Sequence, residues 1–256
     1  MYPTKRFAIL ASCFLYLASC NLASAELRLA IAANFKGAAE ALLVAYSPTS
    51  FQKIQRSYGA SGKLASQILN GATYDVFLSA DEITHPKLQA YIINATKQTY
   101  AHGKLALWSA NVGALAGGPA TLEQFRNTRI DCLAMANPKL APYGKAAQEA
   151  LVVLESNGLE VAKIVTGQSV AHAFGFVASG SCAWGMIAQA QLVALGKQNE
   201  GMLVPQSYYI AIKQNAVLLK HGEHNAAAKN FLAFLKSKQA QDIIREFGYD
   251  LPQPSF

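Results

Sequence analysis

Charge is scarce in this chain. Only 14% of its 256 residues are Asp, Glu, Lys or Arg, against 52% hydrophobic, a balance that excludes disorder and supports a substantial core. The formal net charge is +7, yet no lysine/arginine block interleaves with aromatics, so the footprint of a nucleic-acid-binding surface is missing. There is no Gly-x-Ser-x-Gly nucleophile elbow. A phosphate-binding loop is approached at residues 58–64 but fails, because Ser57 stands where its first glycine is needed and Leu64 where its Ser/Thr is needed. Cysteine is rare too. Neither Cys132 nor Cys182 has a His or Cys at metal-ligand spacing, and Cys182 opens a buried strand, a poor setting for a nucleophile.

The remaining ionisable residues read as ordinary structure. His221 and His224 form His-x-x-His in a polar turn and read as a solvated loop; His172 reads as a surface or packed helix residue. Asp75 and Asp81 stand at opposite ends of one strand, too far apart for a hydrolytic pair, and Asp81-Glu82 reads as the cap of a following helix. No catalytic residue, cofactor or cation site emerges.

What is present begins with a leader pattern: Lys5 and Arg6, an apolar run from Phe7 to Leu17, and the small-x-small site Ala23-Ser24-Ala25. Leu17-Ala18-Ser19-Cys20 also fits a lipobox, which would tether the chain to a membrane through Cys20. Cleavage after Ala25, releasing a soluble periplasmic form, is the favoured reading. It leaves residues 26–256 with a net charge of +5, since Lys5 and Arg6 leave and no acid does. Of the four cysteines Cys132 and Cys182 then remain. Export permits a disulfide, and two buried thiols are the alternative. Both residues begin segments read as neighbouring parallel strands of a doubly wound sheet, which predicts that they lie close enough to bridge.

From residue 27 onward strand-like and helix-like segments alternate, which predicts an α/β fold with mainly parallel sheets. Strands are expected over residues 27–32, 51–58, 74–79, 105–109, 129–136, 161–167, 183–188 and 208–212, with a further apolar run at 217–219. Helices are expected over 35–46, from about 61 to the Asn70-Gly71 stop, 144–156, 169–177, 189–195, 226–236 and 239–247. No low-complexity linker divides them. Two similar halves with a cleft between them fit this order.

Three helix starts share a composition. Ala-Ala-Asn-Phe-Lys-Gly at 32–37, Tyr-Gly-Ala-Ser-Gly-Lys at 58–63 and Ala-Pro-Tyr-Gly at 141–144 each follow an apolar run and carry no acidic residue. Helix N-termini expose free N–H groups and a partial positive charge, so they attract anions. Ser61 taken alone reads as a plain N-cap; the three starts together suggest an anion held by neutral donors.

The same segments carry a resemblance. Ala-Ala-Asn-Phe at 32–35, Gly-Ala-Ser-Gly-Lys-Leu at 59–64, Asn-Gly-Ala-Thr-Tyr-Asp-Val-Phe-Leu-Ser-Ala-Asp at 70–81, Ala-Asn-Pro at 136–138 with Ala-Pro-Tyr-Gly at 141–144, and Gly-Gln-Ser-Val at 167–170 are similar to the molybdate-binding proteins of bacterial ABC transporters, of the type II periplasmic binding fold. The likeness extends to Phe-Leu-Lys-Ser-Lys-Gln-Ala at 234–240 and Phe-Gly-Tyr at 247–249. It implies a monomeric, non-enzymatic solute-binding protein that delivers molybdate or tungstate to a membrane permease. Another tetrahedral oxyanion such as sulfate, thiosulfate or phosphate is the alternative within the class, and an exported enzyme on the same fold is the alternative outside it. The implied lobes are residues 26–105 with 211–256, and residues 106–210. The implied oxyanion donors are Ala33, Asn34, whose side-chain amide can donate, Ser61, Tyr143 and the Val170 N–H, with no basic residue among them. Some family members add a tyrosine hydroxyl at the position of Ala188, and the resemblance leaves Tyr143 to supply that hydroxyl from another direction.

Overall fold

The computed structural model describes residues 26–46, 53–83, 86–111, 125 and 127–253. The leader, the lipobox at Cys20 and the start of the strand expected from Phe51 lie outside these residues.

The chain opens with β1 (Leu27–Ala32), a 3-10 turn over Ala33–Phe35 and α1 (Lys36–Tyr46), then β2 (Ile54–Gly59), α2 (Ser61–Leu69), β3 (Val76–Ser79) and β4 (Gln98–Gly103). It crosses at Lys104 into β5 (Leu105–Trp108), followed by β6 (Arg129–Ile130), β7 (Leu133–Ala136), α3 (Pro142–Ser156), β8 (Glu160–Val161), β9 (Ile164–Gly167), α4 (Val170–Ala178), β10 (Trp184–Ala188), α5 (Gln189–Val193) and β11 (Gly201–Leu203). It returns through β12 (Ile212–Leu218) and ends in α6 (Ala226–Phe234) and α7 (Lys238–Glu246).

Two five-stranded sheets result, in the orders β2-β1-β3-β12-β4 and β11-β5-β10-β7-β9; β6 and β8 form a small separate pair. Within each sheet one strand runs against the other four, β12 in the first and β5 in the second. These two are the strands that follow each crossing, so the antiparallel strand marks where the chain changes sheet. Leu29, Ile31, Leu78 and Leu218 pack one face of the first sheet against Phe35, Leu42, Phe231 and Ile244, while Ala30, Phe77 and Val217 pack the other against Leu64, Ile68 and Leu88. The core of the second sheet reaches across to Ala32, Ala60 and Ala80. Those alanines follow or end β1, β2 and β3, and their small side chains bring the two sheets into close approach.

Several expectations are corrected. The run 129–136 is two strands, because Asp131 and Cys132 turn the chain between β6 and β7, and 161–167 divides in the same way between β8 and β9. Residues 206–208 form a 3-10 turn, and the strand lies later, over Ile212–Leu218. β4 and β11 were not anticipated. Asp81 caps its own turn and not a helix: its Oδ1 accepts from the Ile83 N–H at 2.9 Å and the Ser79 hydroxyl at 2.8 Å. His221 is no free loop residue, since its Nδ1 lies 3.0 Å from Oδ1 of buried Asp75, whose other oxygen accepts the Arg28 N–H at 2.7 Å.

Cys132 and Cys182 are joined by a disulfide, with Cα atoms 5.2 Å apart. Parallel pairing of Leu133 with Trp184 sets the two cysteines beside each other at the entrances of β7 and β10.

Candidate anion-binding site

In open parallel sheets the ligand crevice lies beyond the carboxyl ends of the strands, where helix N-termini gather. Here β1 ends at Ala32, β2 at Gly59, β7 at Ala136 and β9 at Gly167, and the helical segments that follow begin at Ala33, Ser61, Pro142 and Val170. All four starts line one cavity, together with Ala32, Asn34, Gly59, Ala60, Ala80, Ala141, Tyr143 and Ser169. The five sequence-derived donors Ala33, Asn34, Ser61, Tyr143 and Val170 are therefore brought together. None of the lining residues is ionised at neutral pH. The cavity volume is only ≈ 10 Å³, about the space of one water-sized sphere, so the lobes are closely apposed around it.

Capping decides what these helix starts can do. The N-cap positions are Ala32, Ala60, Ala141 and Ser169, and none makes a side-chain cap hydrogen bond; no acidic residue stands in any of the first turns. Away from the cavity the same chain caps in the ordinary way. Asn225 accepts from the Ala227 N–H at the head of α6, and Ser237 from the Ala240 N–H at the head of α7. First-turn N–H groups have no partner within their helix. At the four starts that line the cavity, no N-cap side chain takes them up.

Ser61 is the first residue of α2, not its N-cap, which is Ala60. Its side chain is 1% exposed, and its Oγ accepts the Ala80 N–H at 2.9 Å. Accepting that bond orients the hydroxyl and leaves its own proton to be donated. Asn34 is placed differently from the side-chain route that the resemblance left open. Its Nδ2 donates to Gln214 Oε1 at 2.9 Å and to the Tyr249 hydroxyl at 3.0 Å, while Tyr249 donates to the Asn34 carbonyl at 2.8 Å. Both amide protons are spent inside the protein, so the Asn34 side chain is not a donor to the cavity.

Tyr143 is corrected in the same sense. Its hydroxyl crowds the space beside Gly103, near Gln214, and neither residue lines the cavity. That hydroxyl is buried without a hydrogen-bond partner. Burial, with the neighbouring Tyr249, Tyr209 and Tyr100, holds its pKa well above the usual tyrosine value. The residue lines the cavity from the second position of α3, behind Pro142, whose nitrogen carries no proton. Ala188 stands outside the cavity, and its N–H is taken by the Gln191 side chain at 3.0 Å. Ser169 was missed as a site residue. The helix expected over 169–177 begins at Val170, and the Ser169 hydroxyl makes no cap hydrogen bond to the backbone but lies 3.3 Å from His172 Nδ1. A serine just before a helix with no acid in its first turn was the available signal.

The sequence profile of the bacterial extracellular solute-binding protein family matches residues 27–250. The chain belongs to this family. The molybdate-binding protein ModA of Rhodobacter capsulatus is 39% identical to it over 230 residues, covering 89% of each chain. ModA of Azotobacter vinelandii is 37% identical over 239 residues, covering 92% of this chain and 94% of its own. The solved Azotobacter vinelandii periplasmic molybdate-binding protein superimposes with a TM-score of 0.75 at 34% identity, over 89% of this chain and all of that one. The sulfate-binding protein SubI of Mycobacterium tuberculosis shares the two-lobed fold, with a TM-score of 0.68 at 15% identity. The fold of the family is thus the one built above from strand order and helix starts.

Proposed function

We propose that the protein captures molybdate or tungstate in the periplasm and delivers it to the permease of an ABC transporter, as a monomer that binds without catalysis. One observation carries this reading: four uncapped helix starts, two from each sheet, converge on a cavity without an ionised side chain. Such a site suits a small oxyanion, which accepts hydrogen bonds on every face, and it suits neither a cation nor an apolar solute. The identities of 39% and 37% to proteins named for molybdate binding support the choice of anion.

The donors in this proposal are the N–H groups of Ala33, Asn34, Ser61, Tyr143 and Val170 with the Ser61 hydroxyl. The lobes are residues 26–105 with 211–256, and 106–210. A dianion held by neutral donors keeps its attraction to partial charges only, worth about 0.3–1 kcal/mol per helix end and more when buried. Release to a permease is then not opposed by a buried ion pair. Selection among dianions falls to cavity size and donor placement.

Isothermal titration with molybdate, tungstate, sulfate, thiosulfate and phosphate tests the reading. Tight binding of the first two with weak or no binding of the others is expected. Preference for sulfate or phosphate would reassign the anion, and heat from none of them would remove the function.

A further inference from the structure

Gly62 is the second residue of α2, next to Ser61, and its N–H is one of the first-turn donors a bound anion could use. It is used otherwise. It donates to the carbonyl of Leu140 at 2.9 Å. Leu140 belongs to the other sheet's unit, just before the N-cap Ala141 of α3. Among the described residues, this is the one backbone hydrogen bond outside helices and strands that joins the two lobes away from the crossings near Lys104 and residues 204–211. It ties two of the four site helices directly to each other, at the edge of the cavity.

The geometry also explains the residue type. A Cβ on Gly62 would lie 2.8 Å from the Leu140 oxygen and 3.4 Å from its carbonyl carbon and Cα. The obstacle is backbone, with no flexible side chain to move aside. Gly62 has no positive φ, so its backbone conformation is open to other residues. Only the approach of the opposite lobe excludes them.

We infer that Gly62 is the closure latch of the binding cleft, a positioning residue that never touches the anion. When the lobes meet, Ser61 turns its donors to the ligand while Gly62 hands its N–H to Leu140. Closure and binding therefore share one helix turn. When the lobes part, the Leu140 carbonyl leaves, and with it the three nearest atoms that a side chain at position 62 would meet. The inference rests on the anion reading above.

Gly62→Ala tests it, with molybdate as the probe and wild type measured alongside. Without anion the variant should melt at the wild-type temperature or slightly higher, since alanine suits a helix better than glycine. With molybdate it should bind roughly tenfold or more weakly, mostly through faster release. Small-angle scattering should show the wild type contracting on molybdate and the variant contracting less. Replacing the Gly62 amide by an ester, which deletes the N–H and adds no Cβ, should weaken binding by roughly fivefold. Wild-type affinity and contraction in Gly62→Ala would overturn the latch and leave the anion reading standing. A lowered melting temperature without anion would also overturn it, by making Gly62 a plain packing residue. A wild type that neither binds nor contracts would overturn both readings.

Discussion

Ala80, just after β3, donates its backbone N–H to the Oγ of Ser61 at the head of α2, at 2.9 Å. The bond matters twice. It occupies the hydroxyl as an acceptor and leaves its own proton to be donated, and it satisfies a buried N–H that no strand partner serves. Ser61→Ala is therefore expected to weaken molybdate binding by roughly 1–3 kcal/mol through loss of a charge-assisted hydrogen bond. It should also cost about 1–3 kcal/mol of stability without ligand, because the Ala80 N–H is left unpaired. Titration calorimetry and melting of the anion-free protein measure the two separately. Unchanged affinity would take Ser61 out of the set of donors.

Tyr143 should behave in the opposite way. Its hydroxyl is buried without a partner, so Tyr143→Phe removes an unsatisfied polar group and leaves the backbone N–H in place. Stability is expected to stay level or to rise by up to about 1 kcal/mol, with molybdate affinity within roughly twofold of wild type. A large loss of affinity would show that the hydroxyl reaches the anion.

The disulfide between Cys132 and Cys182 closes a loop with a sequence separation of 50 residues. In the chain-entropy account a loop of that size stabilises the folded state by about 4 kcal/mol. The oxidised protein should melt well above its fully reduced form, and a Cys132→Ala/Cys182→Ala double variant should match the reduced protein. The bridge lies at the strand entrances, at the far end of β7 and β10 from the cavity, so molybdate affinity should survive its removal. Mass spectrometry of unreduced protein from the periplasm reads the bridge directly.

Burial raises the pKa of Tyr100, Tyr143 and Tyr249, in each case through desolvation first. A tyrosine with a raised folded-state pKa contributes stability that is fully present below the unfolded value. That contribution is lost as pH climbs beyond it. The melting temperature should therefore hold through neutral pH with respect to these groups and fall as pH rises past about 10. Phenolate formation, followed by ultraviolet absorbance, should lag behind that of the unfolded chain. Molybdate affinity should be flat between about pH 6 and 9 because no lining residue titrates there.

Much of the fold was legible because its signals are local. The apolar runs of β1, β3, β7 and β10 are buried along their length, so hydrophobicity alone finds them. The amphipathic stripes of α1 and α2 do the same for helices. Strand β4 was illegible for the opposite reason. Gln-Thr-Tyr-Ala-His-Gly has no clean apolar run, and it is a strand because β12 pairs with it at the sheet edge. The division of 129–136 depends on Asp131 and Cys132 turning between two different partners, β8 and β9, which no window of sequence displays.

The site divides along the same line. The helix starts without acids, three noted from composition and the fourth at Val170 through the family resemblance, are a property of sequence, since the partial charge of a helix end is set within one turn of chain. By itself the sequence therefore determined which segments carry helix starts free of acidic residues. Only the tertiary structure decided which atoms of those segments face the cavity. It turned the Asn34 amide inward to Gln214 and Tyr249, carried the Tyr143 hydroxyl past the cavity to Gly103, and gave the Gly62 N–H to Leu140. Side-chain direction and partner choice depend on residues up to 215 positions apart in the chain, and such contacts exist only once the two lobes have packed.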